Sequence, residues 1–292
     1  MLKTILSGIL LILFCTQPVG AIQKTDALNR QVAIPDNPQR IISLVPSVTE
    51  ILFQLGLEEH LVAVTDACTY PEAALKLPNV GNYADPGLEA ILLFKPDLVI
   101  AAADMNRPAL IRRLELLDIP VYVTQSRTVA ETLETIETIG IITGGEKQGK
   151  QLANSLRQRI REIQHLTAEL TPPTTLACVM LQPLTVAGPD TFINDIISLA
   201  GGKNIVPRGP SRYPTWNSEA LLTANPQTIV VSTYPGQPNP EYFFSKWPQL
   251  QAVKNHRIIR IEADWIHRPG PRLILGIEAL AKAFHPDVEF NE

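Results

Sequence analysis

The chain of 292 residues is longer than one compact core usually needs, so one large domain or two lobes are expected. Apolar residues make up 45% and charged residues 18%, a globular balance that excludes long disordered segments. The net charge of −4 provides no basic surface, and we therefore expect neither nucleic acid nor an anionic membrane surface as a partner.

The N-terminal residues 1–21 have the anatomy of an export signal. Lys3 supplies a positive n-region, Ile5–Phe14 form a short apolar segment, and small residues at 19–21 suit a signal peptidase. The apolar segment is too short to span a hydrocarbon core of ~30 Å. Cys15 offers a lipoprotein alternative, but the aromatic residue before it disfavours lipid attachment. We predict a signal peptide over 1–21 and a soluble periplasmic protein after its cleavage.

Short apolar runs alternate with helical patterns over residues 22–145, which is typical of a parallel α/β lobe. The first strand is predicted at 40–45. Ser47-Val48-Thr49-Glu50 then has the form of a capping box that opens a helix ending at Gly56. The other predicted strands are 61–65, 97–101 and 121–124, and the predicted helices are 88–94, 108–117 and 129–143.

A long helical pattern follows from Glu146 to Leu166. Its apolar residues are three and four positions apart, at Leu152, Leu156, Ile160, Ile163 and Leu166. At 1.5 Å per residue this helix would span roughly 30 Å, and the two prolines at 172–173 end it. We predict a linking helix over 146–170.

The α/β alternation restarts over residues 171–292, with strands predicted at 175–180, 228–232 and 257–261. Two phrases of the first half recur there in the same order. A proline follows seven residues after Glu89 and again seven residues after Glu219. The segment 49–52 with Gly56 likewise matches 194–197 with Gly201. The repeat predicts an α/β protein of two related lobes, each a mainly parallel sheet flanked by helices, joined by one long helix.

Ligands of such proteins bind at the loops beyond the carboxyl ends of parallel strands. The loops predicted there hold six of the nine tryptophan and tyrosine residues, whose flat rings can pack on a large ligand. These residues are Tyr70, Tyr83, Tyr213, Trp216, Tyr234 and Trp265, with Asp264 beside them.

Catalytic patterns are missing from the sequence. It contains no nucleophile elbow, no glycine-rich phosphate loop and no metal-ligand pair at helical spacing. Asp264 and His267 leave a periplasmic hydrolase as an alternative, because fold does not fix function. We expect His267 to lie at the cleft rim without coordinating a metal. Cys68 and Cys178 could pair in an oxidising compartment, although we favour two buried thiols.

Three phrases resemble the helical-backbone metal-receptor family. They are RIISLVPS at 40–47 followed by TE, KPDLV at 95–99, and DW at 264–265 followed by Pro271-Arg272. Members of this family are periplasmic substrate-binding components of ABC importers for iron-siderophores, haem and cobalamin. The likeness covers residues 30–286, and the pairs at 70–71, 213–214 and 264–265 look most like the cobalamin-binding members.

The resemblance implies a class III periplasmic binding protein, not an enzyme, that needs no cofactor and acts as a monomer. It implies that cobalamin, a corrinoid, binds between the lobes and is delivered to the permease dimer of an ABC importer. The ligand-binding residues carry over onto Tyr70, Tyr83, Tyr213, Asp264 and Trp265, to which the loop position of Trp216 adds a sixth. A ferric siderophore or haem is the alternative ligand. An anionic siderophore would favour convergence of arginines among Arg107, Arg127, Arg212 and Arg268.

Family members dock on the permease through one surface glutamate per lobe, and Glu89 and Glu219 match those positions. We predict that both are exposed on the side of the cleft mouth. Two departures accompany the resemblance. Ala102 and Pro183 stand near positions where the best-known cobalamin-binding member has aromatic residues, which makes the expected cleft wall less aromatic. Where that member has a disulfide, this chain has Ala200 and Ala281, a difference that concerns stability only.

Overall fold

The computed structural model describes residues 20–290, so the predicted signal peptide lies outside the described residues except for its last two positions. The strands are β1 (Ala21–Thr25), β2 (Gln31–Pro35), β3 (Ile41–Ser43), β4 (Leu61–Val64), β5 (Gly81–Asn82), β6 (Asp85–Pro86), β7 (Leu98–Ala102), β8 (Val121–Thr124), β9 (Thr174–Met180), β10 (Thr185–Val186), β11 (Lys203–Asn204), β12 (Thr228–Thr233) and β13 (Ile258–Glu262). The helices are α1 (Pro46–Gln54), α2 (Leu88–Leu93), α3 (Pro108–Glu115), α4 (Val129–Ile142), α5 (Glu146–Thr167), α6 (Phe192–Leu199), α7 (Ser218–Ala224), α8 (Pro240–Phe244), α9 (Gln251–Lys254), α10 (Ala263–His267) and α11 (Leu273–Phe284).

The first lobe is built on a parallel sheet of order β4-β3-β7-β8. Its strands are apolar runs because both faces of the sheet are covered, as in β7, where all five residues are buried. Leu98 and Ile100 face one core, whereas Val99 and Ala101 face another. The two-residue period of a strand thus divides one apolar run between two cores.

The second lobe repeats this order. Its sheet runs β10-β9-β12-β13, β11 pairs with β9, and every pairing except that of β10 is parallel. In both lobes the helix after the first strand ends at a glycine in the left-handed region, Gly56 at φ 71° and Gly201 at φ 79°. The predicted fold of two related, mainly parallel lobes is confirmed, while the limits of the lobes at 145 and 170 stay a prediction.

Helix α5 joins the lobes and packs against α4, α6 and α11. Its buried residues are Gly149, Ala153, Leu156, Ile160, Ile163 and Thr167, and the apolar ones join a core that contains side chains of both lobes. The predicted stripe is wrong at its end, because Leu166 is 39% exposed. Steps of four and three residues along the stripe reach Thr167 after Ile163, so Leu166 turns to solvent.

Two glycines, Gly140 and Gly149, let α4 and α5 cross closely. A Cβ atom on Gly140 would lie 2.8 Å from the carbonyl oxygen of Gly145 and 3.1 Å from Cα of Gly149. Both neighbours are backbone atoms, which cannot rotate away as a side chain would. The crossing therefore requires glycine at this point and fixes the connecting helix to the first lobe.

The predicted capping box at Ser47–Glu50 is wrong. Helix α1 begins at Pro46 after Val45, which makes no side-chain cap. Glu50 is 2% exposed and forms ion pairs with the second lobe instead of returning to its own helix end. A proline at the first helical position sets the start of α1 without a side-chain acceptor.

The outer faces of the two sheets carry separate cores. Helices α2 and α3 cover one face of the first sheet, and α7, α8 and α9 cover the corresponding face of the second. Cys68 belongs to the shared core and Cys178 to the outer core of the second lobe, and both are buried free thiols. Within residues 20–290, no helix is long and apolar enough to cross a membrane.

The glycine crossing generates a stability prediction. We expect Gly140→Ala to lower the free energy of unfolding by about 1–3 kcal/mol, because the added methyl group overpacks backbone against backbone. Chemical denaturation followed by circular dichroism measures this loss. Gly209→Ala is the matched control, since a Cβ atom there meets nothing within 4 Å. Equal stability of the two variants would contradict the tight crossing.

Candidate functional site

A cavity that is open to solvent lies between the lobes at the carboxyl edge of the first sheet. The first lobe lines it with the start of α1 and the segments that follow β7 and β8. The second lobe contributes the start of α6, the segment before α7 and the segment after α10. The lining residues are Val45, Pro46, Ser47, Val48, Ala102, Asp104, Met105, Thr124, Gln125, Ser126, Arg127, Thr135, Phe192, Arg212, Tyr213, His267, Arg268 and Pro269.

The predicted ligand-binding residues take different places relative to this cavity. Tyr213 lines it. Asp264 lies beside it, since it pairs with the lining residue Arg268. Tyr70 lies outside the lining and contacts Arg272. Tyr83 is exposed on the first lobe, and its backbone N–H donates to Asp66.

The two tryptophans of the predicted set lie away from the cavity lining. Trp265 is partly buried against the shared core. Trp216 packs on the outer core of the second lobe and lines a separate groove with Phe243 and Trp247. The six residues predicted to bind ligand are therefore not brought into one lining, and their common role stays a prediction.

Beside the cavity, a buried carboxylate joins the lobes. Glu50 accepts hydrogen bonds from Nε and Nη2 of Arg272 at 2.9 and 2.6 Å. Asp264 accepts from Arg272 Nη2 at 3.2 Å and forms an ion pair with Arg268, whose Nε lies 2.9 Å from it. Burial works to lower the pKa of Arg272, but the hydrogen bonds and charges of Glu50 and Asp264 outweigh it and raise that pKa. The guanidinium also lies 4.1 Å from the centre of the Tyr70 ring.

Positive charge dominates the cavity wall. Arg127, Arg212 and Arg268 line it against the single carboxylate of Asp104. Nη1 of Arg268 is buried, lies 3.6 Å from Glu50, and makes no hydrogen bond to any of residues 20–290. A buried donor without an acceptor is costly. With three lining guanidinium groups against one carboxylate, the wall can receive a carboxylate, phosphate or other anionic oxygen of a ligand.

Tyr213 places a phenol beside this charge. Burial raises the pKa of its hydroxyl, Arg212 works against that rise and Asp104 adds to it. Asp104 belongs to the first lobe and Arg212 to the second, so Tyr213 lies where the lobes face each other. A neutral phenol there offers both a hydrogen bond and an apolar face.

His267 reaches the cavity from the end of α10. Its Nε2 lies 2.7 Å from Oγ of Ser232, and either atom is able to donate. Surrounding protein atoms lower the pKa of the imidazole, and the charge of Asp264 partly opposes them. The residue as a whole stays exposed, which limits this effect. Among residues 20–290, no group of three or more histidine, cysteine or acidic side chains is arranged to hold a metal ion.

The sequence reasoning missed two parts of the lining. These are the start of α1 at Val45–Val48 and the segment Thr124–Ser126 after β8. Both follow the carboxyl ends of strands that were predicted correctly, so the strand-end rule would have identified them. A search based on aromatic residues passes over them because they are small or polar.

The chain matches a family of binding proteins and several curated relatives over most of its length. The model of the family described as "Periplasmic binding protein" matches residues 41–265. A vitamin B12-binding protein of Photorhabdus laumondii is 32% identical over 246 residues, which cover 84% of this chain and 87% of the relative. An uncharacterized ABC transporter substrate-binding lipoprotein of Bacillus subtilis is 32% identical over 269 residues, covering 90% and 85%.

Two solved structures of binding proteins superpose on most of the chain. The periplasmic vitamin B12-binding protein of Vibrio cholerae superposes with a TM-score of 0.77 at 30% identity, covering 86% of this chain and 98% of that one. A periplasmic heme-binding protein from Roseiflexus sp. RS-1 superposes with a TM-score of 0.76 at 26% identity, covering 85% and 98%.

The environment of His267 generates a prediction on proton binding. We expect its imidazole to titrate below the ordinary value of 6.5, as followed by NMR. Because the depressed pKa means that the folded state binds fewer protons, stability should fall as pH decreases below that value. Asp264→Asn should lower the titration midpoint further, since it removes the charge that favours the imidazolium.

The control for this titration is Asp190→Asn, which changes an exposed carboxylate paired with Arg208 instead. We expect it to leave the His267 midpoint unchanged. A wild-type midpoint at or above 6.5, or an upward shift in Asp264→Asn, would contradict the assigned environment.

Proposed function

The chain belongs to the periplasmic binding protein family, and we propose that it captures a corrinoid of the cobalamin class and delivers it to an ABC importer. Membership makes the chain a substrate-binding protein and not an enzyme, which confirms the prediction drawn from the missing catalytic motifs. The ligand is therefore transported cargo and not a cofactor. The signal peptide and the monomeric state stay predictions.

The interlobe cavity carries the proposal. It is open to solvent and is lined by both lobes, the position at which ligand sites between domains form. Phe192 and Tyr213 provide aromatic surface, while Thr124, Gln125 and Ser126 provide polar groups. Such a mixture suits a large ring system with polar side groups. The 32% identity to a protein named for vitamin B12 binding favours a corrinoid as that ring system.

One observation favours a second candidate. Three of the four arginines considered from the sequence, Arg127, Arg212 and Arg268, do line one cavity. Such convergence suits an anionic ligand, because guanidinium groups pair with carboxylates in two-pronged geometry. Haem, with its carboxylates, and an anionic ferric siderophore both have this chemistry. The likeness to a heme-binding protein at 26% identity agrees with this alternative.

Ligand titration distinguishes the two candidates. We expect isothermal calorimetry to show that purified protein binds cyanocobalamin, and binds haemin and a ferric siderophore more weakly. Tyr213→Ala should weaken corrinoid binding by about 1–3 kcal/mol through loss of packing, the range of an interface anchor. Arg212→Gln should weaken it much less, since a corrinoid carries little net charge.

The matched control for the charge change is Arg208→Gln, which removes an exposed arginine outside the lining. Preferential binding of haemin or siderophore, with a strong loss in Arg212→Gln and none in Arg208→Gln, would replace the corrinoid with the anionic ligand. Absence of binding to all three would contradict the proposal.

We further propose that Glu89 and Glu219 dock the protein on its permease. Both are exposed, and each occupies the second position of its helix, α2 or α7. Helix α2 leads directly into the central strand β7, and α7 leads into the central strand β12. The N-terminus of each helix therefore lies at the carboxyl edge of its sheet, where the cavity also lies. The two helices cover outer faces on opposite lobes, which supports wide separation of the two carboxylates.

Uptake measurements test the docking role. We expect the double change Glu89→Ala and Glu219→Ala to leave ligand affinity nearly unchanged and to reduce uptake strongly, because surface charges act on association and orientation. The control changes the exposed Glu134 and Glu162 of α4 and α5 to alanine. Normal transport by the first double variant would exclude these residues from docking.

A further inference from the structure

Glu50 contacts the beginning of a helix in the other lobe. It is the fifth residue of α1, and its carboxylate is held by Arg272, the residue that precedes α11. Both oxygens are used, one by Nε and the other by Nη2 of the guanidinium. At 2% exposure, this carboxylate has no access to water that could replace the arginine.

Asp195 makes a comparable contact in the opposite direction. It lies in the first turn of α6 in the second lobe, and its Oδ2 accepts from the backbone N–H of Val129 at 2.6 Å. Val129 is the first residue of α4 in the first lobe. The cap residue Thr128 cannot serve this N–H, because its hydroxyl accepts from Glu131. Asp195 therefore satisfies a helix-end donor that its own lobe leaves open.

The two contacts are related by the internal repeat. When segment 49–52 is aligned with segment 194–197, Glu50 and Asp195 occupy equivalent positions of the repeat. The common sheet order makes α4, which follows β8, the counterpart of α11, which follows β13 and α10. Each lobe thus directs an acidic side chain from one position of its first helix to the start of the other lobe's last helix.

We propose that Glu50 and Asp195 are a matched pair of positioning residues that fix the angle between the lobes and so hold the cavity walls in place. Both helices begin at the cavity, α1 with Pro46 and α6 with Phe192. Between them the lobes touch directly, since a Cβ atom on Gly270 would lie 3.1 Å from Cβ of Ser47. Rotation about this contact changes the cavity unless the two carboxylates resist it. This role goes beyond the ligand proposed above and does not depend on its identity.

Replacing each carboxylate by the corresponding amide should affect the two contacts differently. In Asp195→Asn the side-chain oxygen still accepts from Val129, so the contact persists. In Glu50→Gln only one oxygen remains for two guanidinium donors, so the paired geometry is lost. A residue that only fills space would tolerate both amides equally, because they are isosteric with the acids.

Interlobe distances in the full chain, measured without ligand, test the proposal. Spin labels at Leu93→Cys and Tyr242→Cys report one lobe each, since these positions are 80% and 76% exposed. Cys68 and Cys178 are buried and should stay unlabelled. Double electron–electron resonance measures the distribution of distances between the two labels. We expect Glu50→Gln and Asp195→Ala to lengthen and broaden this distribution, and Asp195→Asn to leave it as in the wild type.

Glu241→Gln is the control, because it breaks the ion pair with Arg260 inside the second lobe. It should not change the distribution. The proposal is overturned if Glu50→Gln and Asp195→Ala keep the wild-type distribution while lowering the melting temperature, or if Asp195→Asn is as disruptive as Asp195→Ala. Because no ligand is present, these outcomes are independent of whether a corrinoid binds.

Discussion

A carboxylate buried at the boundary between two lobes is the constraint on which the site depends. Glu50 is shielded from water, and an unpaired charge there would cost several kcal/mol, so a cation must come from the second lobe. Arg272 meets this requirement and in turn orders Tyr70 through its ring and Asp264 through a hydrogen bond. Asp264 then holds Arg268, which faces the cavity. The charge of one side chain thus determines the position of groups in both lobes.

The same network explains why the cavity wall is cationic. Glu50 and Asp264 direct their oxygens to Arg272 and to Nε of Arg268, and Nη1 of Arg268 is left without a hydrogen bond among residues 20–290. With Arg127 and Arg212 nearby, the wall attracts anionic groups, and Asp104 offsets only part of that charge. Apolar surface from Phe192 and Tyr213 adds affinity that is not sensitive to charge. A ligand with a large ring and polar side groups uses both properties.

The internal repeat places matched acidic residues on two kinds of surface. On the outer helices α2 and α7 it leaves one exposed glutamate per lobe, suited to contacts with another molecule. On the inner helices α1 and α6 it leaves one acidic residue per lobe that contacts the opposite lobe. The duplicated lobe therefore presents one repeated phrase to solvent and the other to the opposite lobe.

Local patterns in the sequence determined seven of the thirteen described strands, those that form the parallel core of the two sheets, together with the connecting helix and the order of the two lobes. Apolar runs, proline and glycine breaks and a three-and-four spacing act over a few residues, so they are legible without a structure. Tertiary structure alone decided the site. Trp216 and Tyr213 are three residues apart, yet one packs on an outer core and the other faces the cavity. Ser47–Glu50 has the local form of a capping box, but burial against Arg272 takes Glu50 to the other lobe. The convergence of Arg127, Arg212 and Arg268 depends on packing between segments far apart in sequence, which no local pattern records.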